Sequence, residues 1–246
     1  MSQSGLKQII GAEAAASGWK CLYKLGGATA LIAAVLPLAK IAIGYFPAVA
    51  RLTERTVTVT DWFTLLQNHS FLGLRNLGLL NIVGAALLAP TAVAIYSALR
   101  RDHEAFTAFG TILFFLGLAV YLAGSRAFPM LALSGQYASA TTDAQRSLLV
   151  AAGQAMLAEG QSRSGILHIE FACLVISAVM LRGTVFSKAA AYSGLMGNLL
   201  LMVVEVHLAF VPTLLTVWMT IAGGAGLSMM IWYVLVGRRL LQLGRF

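Results

Sequence analysis

Hydrophobic residues along this chain form six long runs that are separated by short polar segments. The runs cover residues 23–49, 77–99, 105–130, 165–182, 189–210 and 213–236. An α-helix needs about 20 apolar residues to cross the hydrocarbon core of a membrane, and each run is close to that length. We therefore predict an all-α fold, a polytopic integral membrane bundle with six transmembrane helices over residues 23–240, preceded by a cytoplasmic tail at 1–22.

The polar connection between the first two runs contains a shorter segment with a helical pattern. Thr60 or Asp61 can cap a helix there, because both side chains accept hydrogen bonds from backbone N–H groups. The helix is too short to span the membrane and is predicted to be interfacial. Its apolar side chains are expected to lie in the headgroup layer: Trp62, Phe63, Leu65 and Leu66.

The central segment, 131–164, is the longest interval that contains polar residues, and we predict that it is extracytoplasmic. The helix of the third run is expected to continue into it through Pro129 towards Tyr137. Thr142 and Gln145 then fit a capping box, the start of a second amphipathic helix. The apolar residues of that helix recur at helical spacing: Leu148, Leu149, Ala152, Ala155 and Met156.

Glycines are grouped within the last two runs. Small residues let helix backbones approach closely, which favours association of helices in lipid. The glycines therefore predict helix contacts, although they could also only loosen each helix locally. They are Gly194 and Gly197 in the fifth run and Gly223, Gly224 and Gly226 in the sixth.

Composition agrees with a membrane protein and excludes an ordinary soluble domain. Hydrophobic residues make up 59% of the chain and charged residues 11%, whereas about a quarter of the residues in soluble domains are charged. The formal net charge is +8, but the basic residues lie at the ends of the apolar runs rather than on one face. We therefore predict the lipid bilayer as a partner and no nucleic acid.

The distribution of basic residues predicts the orientation. Lys and Arg are more frequent in cytoplasmic loops than in loops on the other side. With both termini in the cytoplasm, six basic residues lie outside: Arg51, Arg55, Arg75, Arg126, Arg146 and Arg163. Ten then lie inside: Lys7, Lys20, Lys24, Arg100, Arg101, Arg182, Lys188, Arg238, Arg239 and Arg245. The sequence favours N-in, C-in.

Polar residues within the runs converge at one depth in this topology. Counting about 1.5 Å of rise per residue places them in the outer half of the membrane. A charge in hydrocarbon costs about 2.5–3.5 kcal/mol, so such residues usually face the bundle interior. They predict a cavity that binds a small molecule, lipid or ion, although they could also only join helices or extend to the headgroups. The candidate residues are Lys40, Arg75, Asn81, Arg126, His168, Glu170, Asn198, Glu205 and His207.

No cofactor or metal is predicted. His168 and His207 occur at similar depth on different helices, as axial ligands of a haem would. However, each lies two residues from a glutamate, Glu170 or Glu205, and that spacing places the two side chains on different helix faces. The two cysteines, Cys21 and Cys173, lack metal spacing and are expected to be small buried residues.

Three functions remain open from the residues alone. The first is a non-enzymatic transporter or sensor that uses the outer cavity. The second is a structural or assembly subunit, with a membrane protein or a second copy as partner. The third is an intramembrane enzyme that uses Glu170 or Glu205 as acid or base. The chain contains no P-loop, GxGxxG, HExxH or nucleophile elbow. The sequence therefore does not favour the classes of soluble enzyme that these motifs identify.

Several segments from residue 60 onward resemble a known family. They are Asp61-Trp62-Phe63, LGLRNLGLLNI (72–82), ALRR (98–101), AFPMLALSGQYASATTDAQRSLLVAAGQAMLA (127–158), VMLRGTVF (179–186) and LVGRRLL (235–241). The chain resembles an uncharacterised family of bacterial integral membrane proteins, known as a domain of unknown function (DUF4386-like). The resemblance implies a six-helix protein of the bacterial inner membrane, and it implies no activity, substrate or catalytic residue.

Overall fold

A computed structural model describes residues 3–44, 58–159, 163–210 and 215–245. In these ranges the chain is mostly helical and has no strand, which confirms the all-α prediction there. The helices are α1 (Gln3–Gly44), α2 (Val59–Asn68), α3 (Ser70–Asn76), α4 (Leu79–Ala123), α5 (Ala127–Ser139), α6 (Asp143–Glu159), α7 (Arg163–Arg182), α8 (Lys188–Phe210) and α9 (Leu215–Leu243). The end of the first predicted run, at 45–49, and the link at 211–214 lie outside these ranges.

Five helical stretches in the described ranges are long and apolar enough to cross a membrane. They are Gly18–Lys40, Leu79–Ser139, Ser164–Arg182, Lys188–His207 and Thr220–Leu243. The second stretch, of 61 residues, contains both the second and the third predicted runs. These lengths and compositions are those of a membrane protein, as the sequence predicts.

The long helix α4 is interrupted at one residue. The sequence predicts a sharp turn at 100–104, and the backbone of His103 leaves the helical region there, with φ −147° and ψ 65°. Helical geometry resumes on both sides of it. Thr107 Oγ1 donates a hydrogen bond of 2.7 Å to the His103 carbonyl, which supports the turn that follows the interruption.

The predicted continuation of the third helix through Pro129 is wrong. Helix α4 ends at Ala123, and α5 starts at Ala127 after a three-residue break. Pro129 lacks the N–H group that a continuous helix would need to bond the Ser125 carbonyl. As the third residue of a new helix it needs no such bond, because the first N–H groups of a helix have no partner within it.

Contacts divide the chain into two compact units. Unit 1 comprises Met1–Val35, Ala86–Leu118 and Leu167–Phe246. Unit 2 comprises Leu36–Ala85 and Ala119–Ile166. Unit 1 therefore contains most of the long apolar helices, whereas unit 2 contains the short helices α2, α3, α5 and α6.

The core of unit 2 is built around α2, so Phe63, Leu65 and Leu66 are buried in protein, contrary to the prediction that these side chains lie in the headgroup layer. Phe63 is fully buried, and its ring centroid lies 5.1 Å from that of Tyr137 in α5. The N-cap is Thr58 rather than Thr60 or Asp61. Thr58 Oγ1 accepts from the Asp61 N–H at 3.2 Å, and Asp61 Oδ2 accepts from the Thr58 N–H at 2.8 Å. This reciprocal pair fixes the start of the helix.

Helix α6 starts at the predicted cap and packs on protein. Thr142 Oγ1 accepts a hydrogen bond of 3.2 Å from the Gln145 N–H. Gln145 Oε1 accepts in turn from the Thr141 N–H, also at 3.2 Å, so the returning bond falls one residue earlier than in the usual capping box. One face of α6 lies against the unit 2 core through Val150, Met156 and Leu157.

Only some of the predicted glycine contacts occur in unit 1. A Cβ atom built on Gly194 would lie 2.6 Å from Trp232 Cδ1 in α9, and one on Gly197 would lie 2.9 Å from Met229 Cγ. These two glycines therefore allow α8 and α9 to approach closely, as predicted. In contrast, a Cβ on Gly223, Gly224 or Gly226 would have no atom within 4 Å in the described structure, so the prediction of contacts there is wrong.

Gly78 is the residue before α4, and its φ of 103° is one that other residues rarely adopt. We expect Gly78→Ala to lower the free energy of unfolding by about 1 kcal/mol, because an L side chain is strained in the left-handed region. Thermal unfolding of the purified chain in detergent measures this loss of stability. The control is Gly135→Ala, because Gly135 is helical and its added methyl would meet no atom within 4 Å. Equal destabilisation by both changes would contradict the role of φ.

Candidate functional site

The nine predicted cavity residues are divided between the two units. Unit 2 contains Lys40, Arg75, Asn81 and Arg126, and unit 1 contains His168, Glu170, Asn198, Glu205 and His207. A single cavity formed by all nine residues stays a prediction.

Three of the residues in unit 2 are joined by hydrogen bonds. Lys40 Nζ, near the end of α1, donates to Asn81 Oδ1 in the first turn of α4. Arg75 of α3 donates from Nη2 to the Lys40 carbonyl at 3.1 Å and from Nη1 to Asn76 Oδ1 at 2.7 Å. Each of the three side chains therefore contacts protein. Their bonds connect the end of α1 with α3 and α4.

Arg126 bonds at the end of another helix of unit 2. Its Nη1 atom donates a hydrogen bond of 3.2 Å to the carbonyl of Leu157, in the last turn of α6. Carbonyl groups in the last turn lack partners within the helix, and a cation is favourable beside them. Arg126 therefore holds α6 near the break between α4 and α5.

The predicted residues in unit 1 include two glutamates that lie close together. Glu170, on α7, is only 5% exposed, and its Oε2 atom is buried without a hydrogen-bond partner among the described residues. Glu205, on α8, lies within range of electrostatic interaction with it. Cys173 is within range of Glu170, and Tyr233 of α9 is within range of Cys173. Electrostatic interactions therefore link four ionisable groups on three helices.

Further buried polar groups continue along the same face of α7. Ser177 is fully buried and lies seven residues after Glu170, two helical turns along the same face. Its Oγ atom and the Nε1 atom of Trp232 are buried without a partner in the described structure. Asn198 is 2% exposed, and its Nδ2 atom donates to the Gly194 carbonyl at 2.7 Å. Buried polar groups therefore occur among the apolar side chains of α7, α8 and α9.

The two predicted histidines differ in their surroundings. The ring of His207 lies against that of Trp218 in α9, with centroids 4.1 Å apart and an angle of 35° between the planes. His207 Nε2 and Trp218 Nε1 are buried and have no hydrogen-bond partner in the part of the chain described. His168 is half-buried and has an interaction partner. No group of three His, Cys, Asp or Glu residues able to hold a metal occurs in the described ranges.

Sequence reasoning did not connect Cys173, Ser177, Trp232 and Tyr233 with the site. The signal for the first two was present, because Glu170, Cys173 and Ser177 follow the three-and-four spacing of one helix face. Cys173 is buried, as predicted for both cysteines, whereas Cys21 is exposed. Nothing local in the sequence could have indicated the residues of α9, because their approach depends on how the helices pack.

This arrangement can hold a positive charge. Burying an ionised carboxylate without a partner is strongly unfavourable, and a second carboxylate nearby adds repulsion. A proton or a cation at Glu170 and Glu205 removes both costs. The buried hydroxyl of Ser177 and the buried thiol of Cys173 can also donate or accept hydrogen bonds.

Comparisons of the chain with protein-family models, curated proteins and solved structures found no match. The resemblance to the DUF4386-like family of bacterial membrane proteins therefore stays a prediction.

Proposed function

We propose that this chain is a multi-pass protein of the bacterial inner membrane that binds a singly charged cation, a proton or an alkali-metal ion, in unit 1. The binding groups are the carboxylates of Glu170 and Glu205. The observation that carries the proposal is the buried, unpartnered Oε2 atom of Glu170 next to a second carboxylate, within the described structure. A charge in the membrane costs about 2.5–3.5 kcal/mol, and a bound cation offsets that cost.

The membrane topology of this proposal is six crossings with both termini inside. The interruption at His103 divides α4 into two arms of about 20 residues or more, each long enough to span the hydrocarbon core. Contacts within unit 1 support the orientation. The Arg100 guanidinium lies 4.9 Å from the ring centroid of Trp19, and Arg239 Nε donates to the Val185 carbonyl at 2.6 Å. Basic residues of different helices thus share one end, the cytoplasmic end by the positive-inside rule.

The depth of the site follows from this topology. Glu170 lies twelve residues before Arg182 on α7, which corresponds to about 18 Å along the helix axis. The hydrocarbon core is about 30 Å thick. The carboxylate pair is therefore placed just beyond the middle of the membrane, in its outer half. Such a position suits a transporter or a sensor that exchanges its cation with the outer side.

A structural or assembly subunit is the second candidate, and the contacts of unit 2 favour it. Lys40, Arg75 and Arg126 each donate to an acceptor of the same chain. Cations with such partners can serve helix packing alone. The structural candidate predicts that a second polypeptide copurifies at a fixed ratio from mild detergent. A monodisperse protein without a partner would contradict it.

We expect sodium or potassium chloride to raise the melting temperature of the purified protein above that in choline chloride of equal ionic strength. A ligand at about 100 times its Kd stabilises the folded state by about 2.7 kcal/mol. If the bound cation is a proton, the salts have equal effects, and the infrared spectrum instead contains the C=O band of a protonated carboxyl group. Either result supports the proposal. A chain that shows neither the salt effect nor the band would overturn it.

Variants identify the carboxylates in this experiment. Glu170→Gln and Glu205→Gln are each expected to remove the salt effect or the carboxyl band while the protein remains folded. The matched control is Glu104→Gln, because Glu104 is exposed beside the interruption of α4. If all three variants behave like the original protein, the cation is bound elsewhere and the assignment of the site is wrong.

A further inference from the structure

Unit 1 contains a cavity of about 260 Å³ between α4 and α7, in the part of α7 that follows Glu170. Its two polar lining residues are His103 and Arg182. Its four apolar lining residues are Phe106, Val175, Ala178 and Val179. The cavity therefore has a polar end and a hydrocarbon wall.

The cavity lies between a close helix contact and the interruption of α4. A Cβ atom built on Gly110 would lie 3.0 Å from Ile176 Cγ1 and 3.4 Å from the Ala172 carbonyl, so the two helices are in close contact at that level. The lining residue Phe106 lies one turn before Gly110 in α4 and three residues after the interruption at His103.

Positive charge predominates around the polar end of the cavity. Two carboxylates occur among the neighbouring residues, Asp102 and Glu104, and a Cβ on Gly183 would lie 3.5 Å from Asp102 Oδ2. The cations at this end of unit 1 are more numerous: Arg100, Arg101, Arg182, Lys188, Arg238 and Arg239. Of these, Arg239 bonds the Val185 carbonyl and Lys188 bonds the Leu181 carbonyl, whereas Arg182 lines the cavity.

We propose that this cavity binds an anionic phospholipid. The lipid phosphate lies against Arg182 and His103, and the first part of one acyl chain lies along Phe106, Val175, Ala178 and Val179. Pockets that enclose a whole drug-sized ligand measure about 300–1,000 Å³, so this smaller cavity accepts one segment of a lipid whose remainder stays in the bilayer. Basic pockets between transmembrane helices on the cytoplasmic side are typical sites for anionic headgroups.

The size and chemistry of the cavity favour a lipid over other ligands. A soluble anion would gain nothing from the four apolar lining residues, whereas a neutral acyl compound would leave the charge of Arg182 unused. Phe106 is 60% exposed at the side of α4, so the cavity can be reached from the hydrocarbon region. This site does not depend on the cation site, because it uses no residue of that site.

Native mass spectrometry of the full chain in detergent tests the proposal with palmitoyl-oleoyl phosphatidylglycerol and the corresponding phosphatidylcholine. We expect the original protein to retain more phosphatidylglycerol. Arg182→Gln is expected to lower its retention about fivefold, since one basic residue near the surface contributes about that factor. Arg238→Gln is the matched control, because Arg238 is exposed at the same end but does not line the cavity.

A second variant tests the apolar wall without a change of charge. Ala178→Trp fills the cavity, and it is expected to lower the retention of both lipids while the melting temperature stays close to that of the original protein. Three outcomes would overturn the proposal: equal retention of the two lipids, equal loss in Arg182→Gln and Arg238→Gln, or unchanged retention in Ala178→Trp. The last variant keeps the test decisive if Arg182→Gln does not fold.

Discussion

Replacing Phe63 with Ala is expected to lower the free energy of unfolding by about 3–5 kcal/mol, the usual range for a large aromatic residue removed from a core. Phe63 has no exposed surface, and its ring packs on Tyr137. A Cβ atom on Gly153 of α6 would lie 3.0 Å from Phe63 Cζ, so the ring also fills the space beside α6. Its loss leaves a cavity at the centre of unit 2.

Hydrogen exchange of the full chain in detergent measures this effect helix by helix. Backbone amides of α2, α5 and α6 should exchange faster in Phe63→Ala, because these helices pack on the missing ring. Phe71→Ala removes the same ring from α3 of the same unit, where Phe71 is 68% exposed. The control is expected to change exchange little. Similar effects of the two variants would contradict the assignment of Phe63 to a core.

Gly194→Val is expected to have the second large effect, a loss of about 1–3 kcal/mol or more through overpacking. A Cβ atom at this position would lie 2.6 Å from both Cδ1 and Nε1 of Trp232. The indole ring is 2% exposed and cannot move away without disturbing its neighbours. The added side chain would therefore force α8 and α9 apart. Thermal unfolding in detergent, followed by tryptophan fluorescence, measures the result.

The matched control for this change is Gly223→Val in α9. A Cβ atom on Gly223 would meet no atom within 4 Å in the described structure. Both variants replace a helical glycine by the same β-branched residue, so they share the difference in helix propensity. Only the change at Gly194 introduces a clash. If Gly223→Val destabilised the protein as much, the close approach of α8 and α9 would not be the cause.

The two glycine groups show what a glycine pattern can and cannot predict about helix contacts. Gly194 and Gly197 face α9, whereas Gly223, Gly224 and Gly226 have open space, although all five were expected to make helix contacts. A glycine-rich face predicts that helices can approach closely, but it does not say which face meets a neighbour. Gly27 and Gly237 do lie at a close helix contact, although the sequence pattern did not predict one there. A Cβ on Gly237 would lie 2.9 Å from the Gly27 carbonyl.

Caps and breaks differed in how well they could be predicted. The Thr142 cap of α6 was found, because a capping box uses residues only three apart. At α2 the cap is an earlier residue, Thr58, and the side chain of Asp61 accepts a hydrogen bond from the Thr58 N–H. The same local motif was present, but Thr58, Thr60 and Asp61 all suit a cap. The sequence alone does not select among them.

The sequence by itself determined that this chain is helical and apolar enough to cross a membrane. Both properties depend on averages over about 20 consecutive residues, so they can be derived without knowledge of the neighbours. Only the tertiary structure decided which polar side chains meet. Lys40 bonds Asn81, Arg126 bonds Leu157, and Glu170 lies near Glu205, because the rotation and packing of distant helices place them together. Helical periodicity assigns a residue to a face, whereas packing alone selects the helix that this face contacts.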